Sequence, residues 1–161
     1  MEIRRTTLED LDEILTLYAD ARAFMKNQDN PSQWGEDYPR RELLESDISL
    51  DRSYVCISDN YIVGTFCFEV GVDPTYLEIF EGEWLDDAPY GVIHRIASAR
   101  GSKGVASFCV DWCFKQHPNI RIDTHRKNSP MIRFLEKNGY VRCGIIYIEN
   151  GDERIAFHKV K

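Results

Sequence analysis

Apolar residues along the chain recur with two different periods, one typical of strands and one typical of helices. A β-branched apolar stretch between Gly91 and Gly101 predicts a strand. Directly after it, apolar residues at helical spacing predict a helix; they are Val105, Phe108, Cys109, Trp112 and Cys113. The segment between them contains Ser102, Lys103 and Gly104. The centre of the chain is therefore predicted to form a strand, a glycine-rich turn and a helix.

The turn before this helix has the chemistry of an anion-binding site. The first N–H groups of a helix have no intrahelical partner, and they coincide with the positive end of the helix dipole. Glycines let an anion approach the backbone, and Lys103 adds a mobile positive charge. The spacing matches neither G-x-x-x-x-G-K-[ST] nor G-x-G-x-x-G. Because many glycine-containing turns bind nothing, a purely structural turn remains the alternative.

The other patterned segments complete an alternating order of strands and helices. A capping box at Thr7-x-x-Asp10 predicts a helix from about residue 8 into the twenties. Asn128 and Pro130 open a later helix that Gly139 ends, and Asn150-Gly151 predicts the turn of a terminal hairpin. The remaining elements are predicted as a helix at 40–50 and strands at 2–5, 53–57, 61–70, 119–124, 141–148 and 154–159.

Length and composition exclude several classes of protein. A chain of 161 residues is expected to form a single domain, residues 1–161. A net charge of −7 argues against a nucleic-acid partner, which needs a clustered basic face. The five cysteines lie in apolar runs without a second ligand pair, so core packing and no metal are expected. Without a leader-like or long apolar segment, we expect a cytoplasmic protein with no membrane partner.

An acidic segment and two tryptophans are candidates for the substrate surface. Residues 69–87 contain seven acidic side chains and no basic one. We expect a solvated rim there, and the alternative is a wall that attracts an amine. Trp34, in the polar loop 27–39, and Trp84, in the acidic segment, either cap the core or bind the substrate.

The order of elements, the central turn and the ending Glu136-Lys137-Asn138-Gly139-Tyr140 resemble the GNAT superfamily of N-acetyltransferases over essentially the whole chain. The family signature [Q/R]-x-x-G-x-[G/A] fits best from Gly101 to Ala106, where Gly101 replaces the usual Gln or Arg. The resemblance implies an α/β fold, a mixed and mostly antiparallel sheet of about seven strands with four flanking helices.

The resemblance also implies acetyl-CoA as cosubstrate and assigns the residues that bind it. The strand before the turn would pair with the pantetheine arm through Ile96, Ala97 and Ser98. The turn and the start of the helix would bind the pyrophosphate through Gly101, Ser102, Lys103, Gly104, Val105 and Ala106. The later helix would flank the thiol end through Asn128, Met131 and Phe134.

Two side chains are candidates for catalysis. Where many family members have a glutamate base, this chain has His94, and histidine exchanges protons near neutral pH. The alternative is a histidine that is hydrogen-bonded for structural reasons only. Tyr147, on a strand that approaches the thioester in this fold, is the candidate proton donor, with packing as its alternative. The tyrosine that protonates the leaving thiolate in many members is replaced by Leu135.

These features predict an N-acetyltransferase that moves an acetyl group to the primary amine of a small molecule by direct attack in a ternary complex. One alternative is a protein N-terminal or lysine acetyltransferase, with an open groove beside Trp34 and Trp84. Another is a non-catalytic acyl-CoA-binding module, which Leu135 supports. By analogy with the family, a homodimer is also expected.

Overall fold

The computed structural model describes residues 1–161, which form one seven-stranded sheet and four α-helices. The strands are β1 (Glu2–Arg5), β2 (Ser53–Ser58), β3 (Tyr61–Val70), β4 (Gly91–Ser98), β5 (Asn119–Thr124), β6 (Val141–Tyr147) and β7 (Glu153–Val160). The helices are α1 (Leu11–Asn27), α2 (Arg41–Ser49), α3 (Val105–Gln116) and α4 (Ser129–Lys137). None of these helices combines the length and apolar character that a membrane span requires.

The strands lie in the order β1-β2-β3-β4-β5-β7-β6, and β4 and β5 are the one parallel pair. This confirms the predicted mixed, mostly antiparallel sheet with four helices. The predicted local signals also hold. The backbone N–H of Thr7 donates to Asp10 Oδ2 (2.8 Å) in the capping box, which opens a short 3₁₀ turn before α1. Asn128 caps α4, and its Oδ1 accepts from Met131 N at 3.2 Å.

The two parallel strands separate soon after they meet. They pair only at Gly91 with Ile120 and at Val92 with Arg121. β4 continues to Ser98, where it remains paired with β3 on its other side. The backbone groups of β4 that face β5 are therefore left without a strand partner beyond Val92, and a cleft opens between the two strands.

A bulge at Arg95 bends β4 beside this cleft. Arg95 has a φ of +53°, which is uncommon for a residue with a side chain, and the β3–β4 register shifts there. Two contacts hold the bulge: the Tyr18 hydroxyl donates to Arg95 O (2.6 Å), and the Arg95 guanidinium binds Asp47 Oδ2 (2.7 Å). Before the bulge the strand alternates normally: Ile93 packs in the core beneath α3 and α4, and His94 lies on the opposite face, beside residues 71–90.

Each face of the sheet has its own core. α3 and α4 cover one face with the largest cluster of buried apolar residues, and α1 and α2 cover the β1–β4 half of the other face. The remaining part of that face is covered by residues 71–90, whose Tyr76 is 1% exposed. This segment also extends the sheet, because Phe80 and Ile145 exchange backbone hydrogen bonds at the β6 edge (2.8 Å each).

Candidate active site

A cleft of about 680 Å³ lies where β4 leaves β5, and it extends under the loop between α1 and α2 and the turn between β6 and β7. Five of the residues singled out from the sequence line it: Trp34, His94, Ile96, Asn128 and Met131. The structure thus brings the candidate base and part of the candidate pantetheine site into one cavity.

His94 forms a pair with Asp73 on the wall of the cleft. Its Nε2 lies 2.8 Å from Asp73 Oδ2, and the two side chains are 25% and 14% exposed. Burial raises the pKa of Asp73, but hydrogen bonds from His94 and Thr75 outweigh it and lower that pKa to about 2. The carboxylate is therefore ionised and accepts a hydrogen from Nε2. This assignment leaves Nδ1 of His94 as the unprotonated ring nitrogen of the neutral side chain, with no protein partner.

Asp73 is held in position by the turn that follows it. Its Oδ1 accepts hydrogen bonds from Thr75 N (2.8 Å) and Thr75 Oγ1 (2.7 Å), which cap the short 3₁₀ turn Pro74–Tyr76. Its own N–H donates to the Tyr90 hydroxyl at 3.0 Å. For Asp73 the expectation of a solvated rim is wrong, because its carboxylate is committed to His94 and Thr75.

Asp123 places a second carboxylate on the same wall. It lies on β5, two residues beyond the last β4–β5 pair, and it lines the cleft. The hydroxyl of the buried Tyr76 donates to Asp123 Oδ2 at 2.7 Å. The structure thus brings this carboxylate to the candidate site.

The turn from Gly101 to Gly104 has the geometry of an anion cradle. Both glycines have left-handed φ values, +78° and +73°, and no atom lies within 4 Å of a Cβ built on either. Gly104 is the N-cap of α3, and no side chain caps the N–H groups at the start of that helix. The first intrahelical bond there runs from Phe108 N to Gly104 O. Open space over uncapped N–H groups fits a phosphate of acetyl-CoA.

The loop between α1 and α2 is fastened across the cleft to the start of α4. Gln33 Oε1 accepts from Asn128 Nδ2 (2.9 Å) and from Asn30 Nδ2 (2.7 Å). Gln33 O accepts from the guanidinium of Arg154 at 3.1 Å. Asn128 therefore uses its Oδ1 to cap α4 and its Nδ2 to hold the loop.

The two tryptophans occupy different environments. Trp34 lines the cleft, with its ring 5.6 Å from that of Tyr18 and 6.2 Å from that of Tyr38. Trp84 does not line the cleft. It packs on the third core cluster, 5.2 Å from the ring of Tyr76, and donates through Nε1 to Tyr76 O at 3.1 Å. A substrate-binding role for Trp84 remains a prediction without support from this position.

Three other residues considered from the sequence also lie outside the cleft. Tyr147 is 45% exposed on the edge strand β6, and its ring contacts that of Phe80 (5.4 Å). Phe134 packs against the main core cluster. Leu135 is fully buried in that cluster, so a side chain at this position faces the core. The structure leaves Tyr147 as a prediction and brings no hydroxyl to the cleft from position 135.

Sequence reasoning missed Asp73, Gln33 and Arg154. Asp73 carried a usable signal, because Asp-Pro-Thr is a typical start of a turn that the Asp side chain caps. Gln33 and Arg154 had no such signal, since both reach the cleft through contacts between segments far apart in the chain.

Comparison with known structures finds proteins of similar structure. An acetyltransferase of the GNAT family from Streptococcus agalactiae 2603 is 32% identical, with a TM-score of 0.91 over 99% of this chain and 95% of that chain. One of the same family from Bacillus cereus ATCC 10987 is 21% identical, with a TM-score of 0.68 over 99% and 96%. A ribosomal-protein-alanine N-acetyltransferase from Brucella melitensis is 15% identical, with a TM-score of 0.68 over 100% of both chains.

The last two similarities are evidence for the fold alone. No family model matches the sequence, and no curated protein matches it.

Proposed function

The chain belongs to the GNAT family of acetyltransferases, and from that premise we propose that it acetylates the primary amine of a small molecule by direct attack in a ternary complex with acetyl-CoA. Acetyl-CoA supplies the acetyl group as a thioester. The observation that carries the proposal is the His94–Asp73 pair on the wall of the cleft.

The proposed binding site for acetyl-CoA combines two features of the chain. The N–H groups at the start of α3, with Gly101 and Gly104, would hold the pyrophosphate. The unpaired edge of β4, from Ile96 to Ser98, would hydrogen-bond the pantetheine arm as an added strand. Met131 and Asn128 would contact the thiol end, since both line the cleft.

His94 is the proposed base. An amine attacks a thioester only in its neutral form, so a proton must leave the ammonium group. Nδ1 of His94 would take that proton, directly or through a water molecule, while Asp73 holds Nε2–H and stabilises the charged ring. The hydrogen bond from Nε2 to Asp73 makes Nδ1 the nitrogen that accepts the proton.

The size and lining of the cleft favour a small acceptor. The cleft volume of about 680 Å³ is typical of small-molecule sites. A protein acceptor was expected to use a groove beside Trp34 and Trp84, and only Trp34 lines the cleft. A non-catalytic acyl-CoA-binding module would have no use for a histidine whose tautomer is fixed by a partly buried carboxylate.

The test is an acetyl-transfer assay over a panel of primary amines, with release of the free thiol as the readout. We expect turnover by the native protein and a decrease of kcat by about 10²- to 10⁴-fold in His94→Gln, because general-base catalysis is lost. Asp73→Asn is expected to lower kcat as well, because the amide can donate to Nε2 and favour the wrong tautomer.

His117→Gln is the matched control, since His117 lies outside the cleft and contacts Pro89 O at 2.9 Å. Full activity in His94→Gln would refute His94 as the base. Acetyl-CoA binding without transfer to any amine would instead support the non-catalytic module.

A further inference from the structure

Arg154 lies on the same face of the sheet as the candidate base. On β7, Ala156 pairs with Asp123 of β5, and Arg154 is two residues from Ala156 and so points to the same side. His94 and Asp123 each lie two residues beyond the last β4–β5 pair, Val92 with Arg121, so they are level with each other. His94, Asp123 and Arg154 therefore line the cleft side by side, on β4, β5 and β7.

The guanidinium of Arg154 is buried without a counter-ion. The residue is 4% exposed, and its two hydrogen bonds go to carbonyl oxygens: Glu153 O at 2.9 Å and Gln33 O at 3.1 Å. Arg154 forms no salt bridge, although Glu149 also lines the cleft and Glu153 directly precedes Arg154 on β7. Glu153 binds Arg126 instead (3.5 Å). Since a guanidinium has five N–H donors, most of its capacity is unused.

Two other arginines, the buried Arg121 and the largely buried Arg95, show how this chain normally compensates such a charge. Arg95 binds Asp47 at 2.7 Å. Arg121 lies over two aromatic rings, 4.3 Å from the centre of Trp84 and 3.9 Å from that of Tyr90. Arg154 has neither kind of partner. Because buried charges are normally paired, the position of Arg154 in a cleft points to an anion that arrives with a ligand.

Geometry indicates which ligand brings that anion. The phosphate cradle at the start of α3 follows the end of β4, whereas Arg154 lies on the far side of β5, beneath Gln33. The planar guanidinium fork matches a carboxylate in two parallel hydrogen bonds. We infer that Arg154 binds a carboxylate of the acceptor, so that the substrate is an amino acid: a primary amine that carries a carboxylate. This inference rests on the proposed amine acetylation.

The test compares acceptors in matched pairs that differ only in the carboxylate: phenylalanine with 2-phenylethylamine, and 4-aminobutyrate with propylamine. We expect the native enzyme to favour the amino acid of at least one pair by about 10-fold or more in kcat/KM, as expected for a charged hydrogen-bonded contact. Arg154→Gln should abolish this preference through a higher KM, and Arg154→Lys should retain part of it.

Arg126→Gln is the matched control, because it removes an exposed arginine that lies outside the cleft; the preference for the carboxylate should persist. If the native enzyme acetylates amines without favouring the carboxylate in either pair, the inference is wrong although the proposed function stands.

If no amine is acetylated, the proposed function fails, and thermal unfolding in the presence of CoA decides the inference. A rise in Tm with the amino acids in the native protein but not in Arg154→Gln supports it. Equal or absent shifts in the two proteins overturn it.

Discussion

Protonation of His158 is expected to destabilise the protein as the pH falls below neutrality. His158 lies on β7, and its side chain is fully buried beneath residues 71–90. Its Nδ1 accepts from Leu85 N (3.0 Å), and its Nε2 lies 2.6 Å from Asn119 Oδ1. The bond from Leu85 requires an unprotonated Nδ1, so Nε2 carries the hydrogen and donates to Asn119. A second proton on the ring would sit on Nδ1, so that this N–H and the backbone N–H of Leu85 would face each other.

The size of the effect follows from the pKa. Burial is the main cause of a lowered pKa for His158, the charge of Arg121 lowers it further, Asp86 opposes both, and the result is about 4. A difference of about 2.5 units from the ordinary value of 6.5 corresponds to roughly 3 kcal/mol. Because the unfolded chain takes up the proton first, this stability is fully present above pH 6.5. It is lost progressively as the pH falls to 4.

The measurement is urea unfolding of the native protein and of His158→Gln at several pH values from 7.5 to 4, followed by tryptophan fluorescence. The native protein should lose roughly 3 kcal/mol more than the variant over this range, a difference of about 1.5 M in midpoint if m is about 2 kcal/mol/M. His117→Gln, which removes a histidine outside this cluster, should keep the native pH dependence. Parallel curves for the native protein and His158→Gln would refute the reasoning.

Two further predictions concern the cradle and α4. Gly104→Asp puts a carboxylate and a strained left-handed residue at the start of α3, so the Kd for acetyl-CoA should rise by about 10-fold or more in calorimetric titration. The control is Gly139→Asp, which is equally left-handed but lies at the end of α4, and it should bind acetyl-CoA with the native Kd. An unchanged Kd in Gly104→Asp would show that this turn does not bind the phosphate. Leu135→Tyr restores the usual family residue in a full core, so urea unfolding should show a loss of about 1–3 kcal/mol without any gain in kcat. A higher kcat would contradict the core position of residue 135.

The sequence predicted the features that depend on local chemistry. Three features are determined by a few neighbouring residues, and the structure confirms each of them: the helix starts at Thr7 and Asn128 and the hairpin turn at Asn150-Gly151. The cradle at Gly101–Gly104 also follows from local glycine geometry, and His94 was located through the family resemblance.

The partners of the site residues could not be predicted in the same way. Asp73 and His94 are 21 residues apart, and Gln33 and Asn128 are 95 apart. These contacts depend on how loops pack over the sheet, which hydrophobic periodicity does not specify. Leu135 illustrates the limit: its position in the family motif was readable, but its burial required the structure.

The packing of residues 71–90 links the stability of the fold to the proposed chemistry. Leu85 in this segment is bound by His158, and Tyr76 and Trp84 contribute to the third core cluster. The same segment carries Asp73, the carboxylate that orients His94. A segment held at its far end by a buried neutral histidine can keep the Asp73 carboxylate at a fixed distance from the proposed base, His94. The folded chain takes up a proton on His158 only near pH 4, so the support of Asp73 should loosen there, at the lower end of the range over which stability is lost.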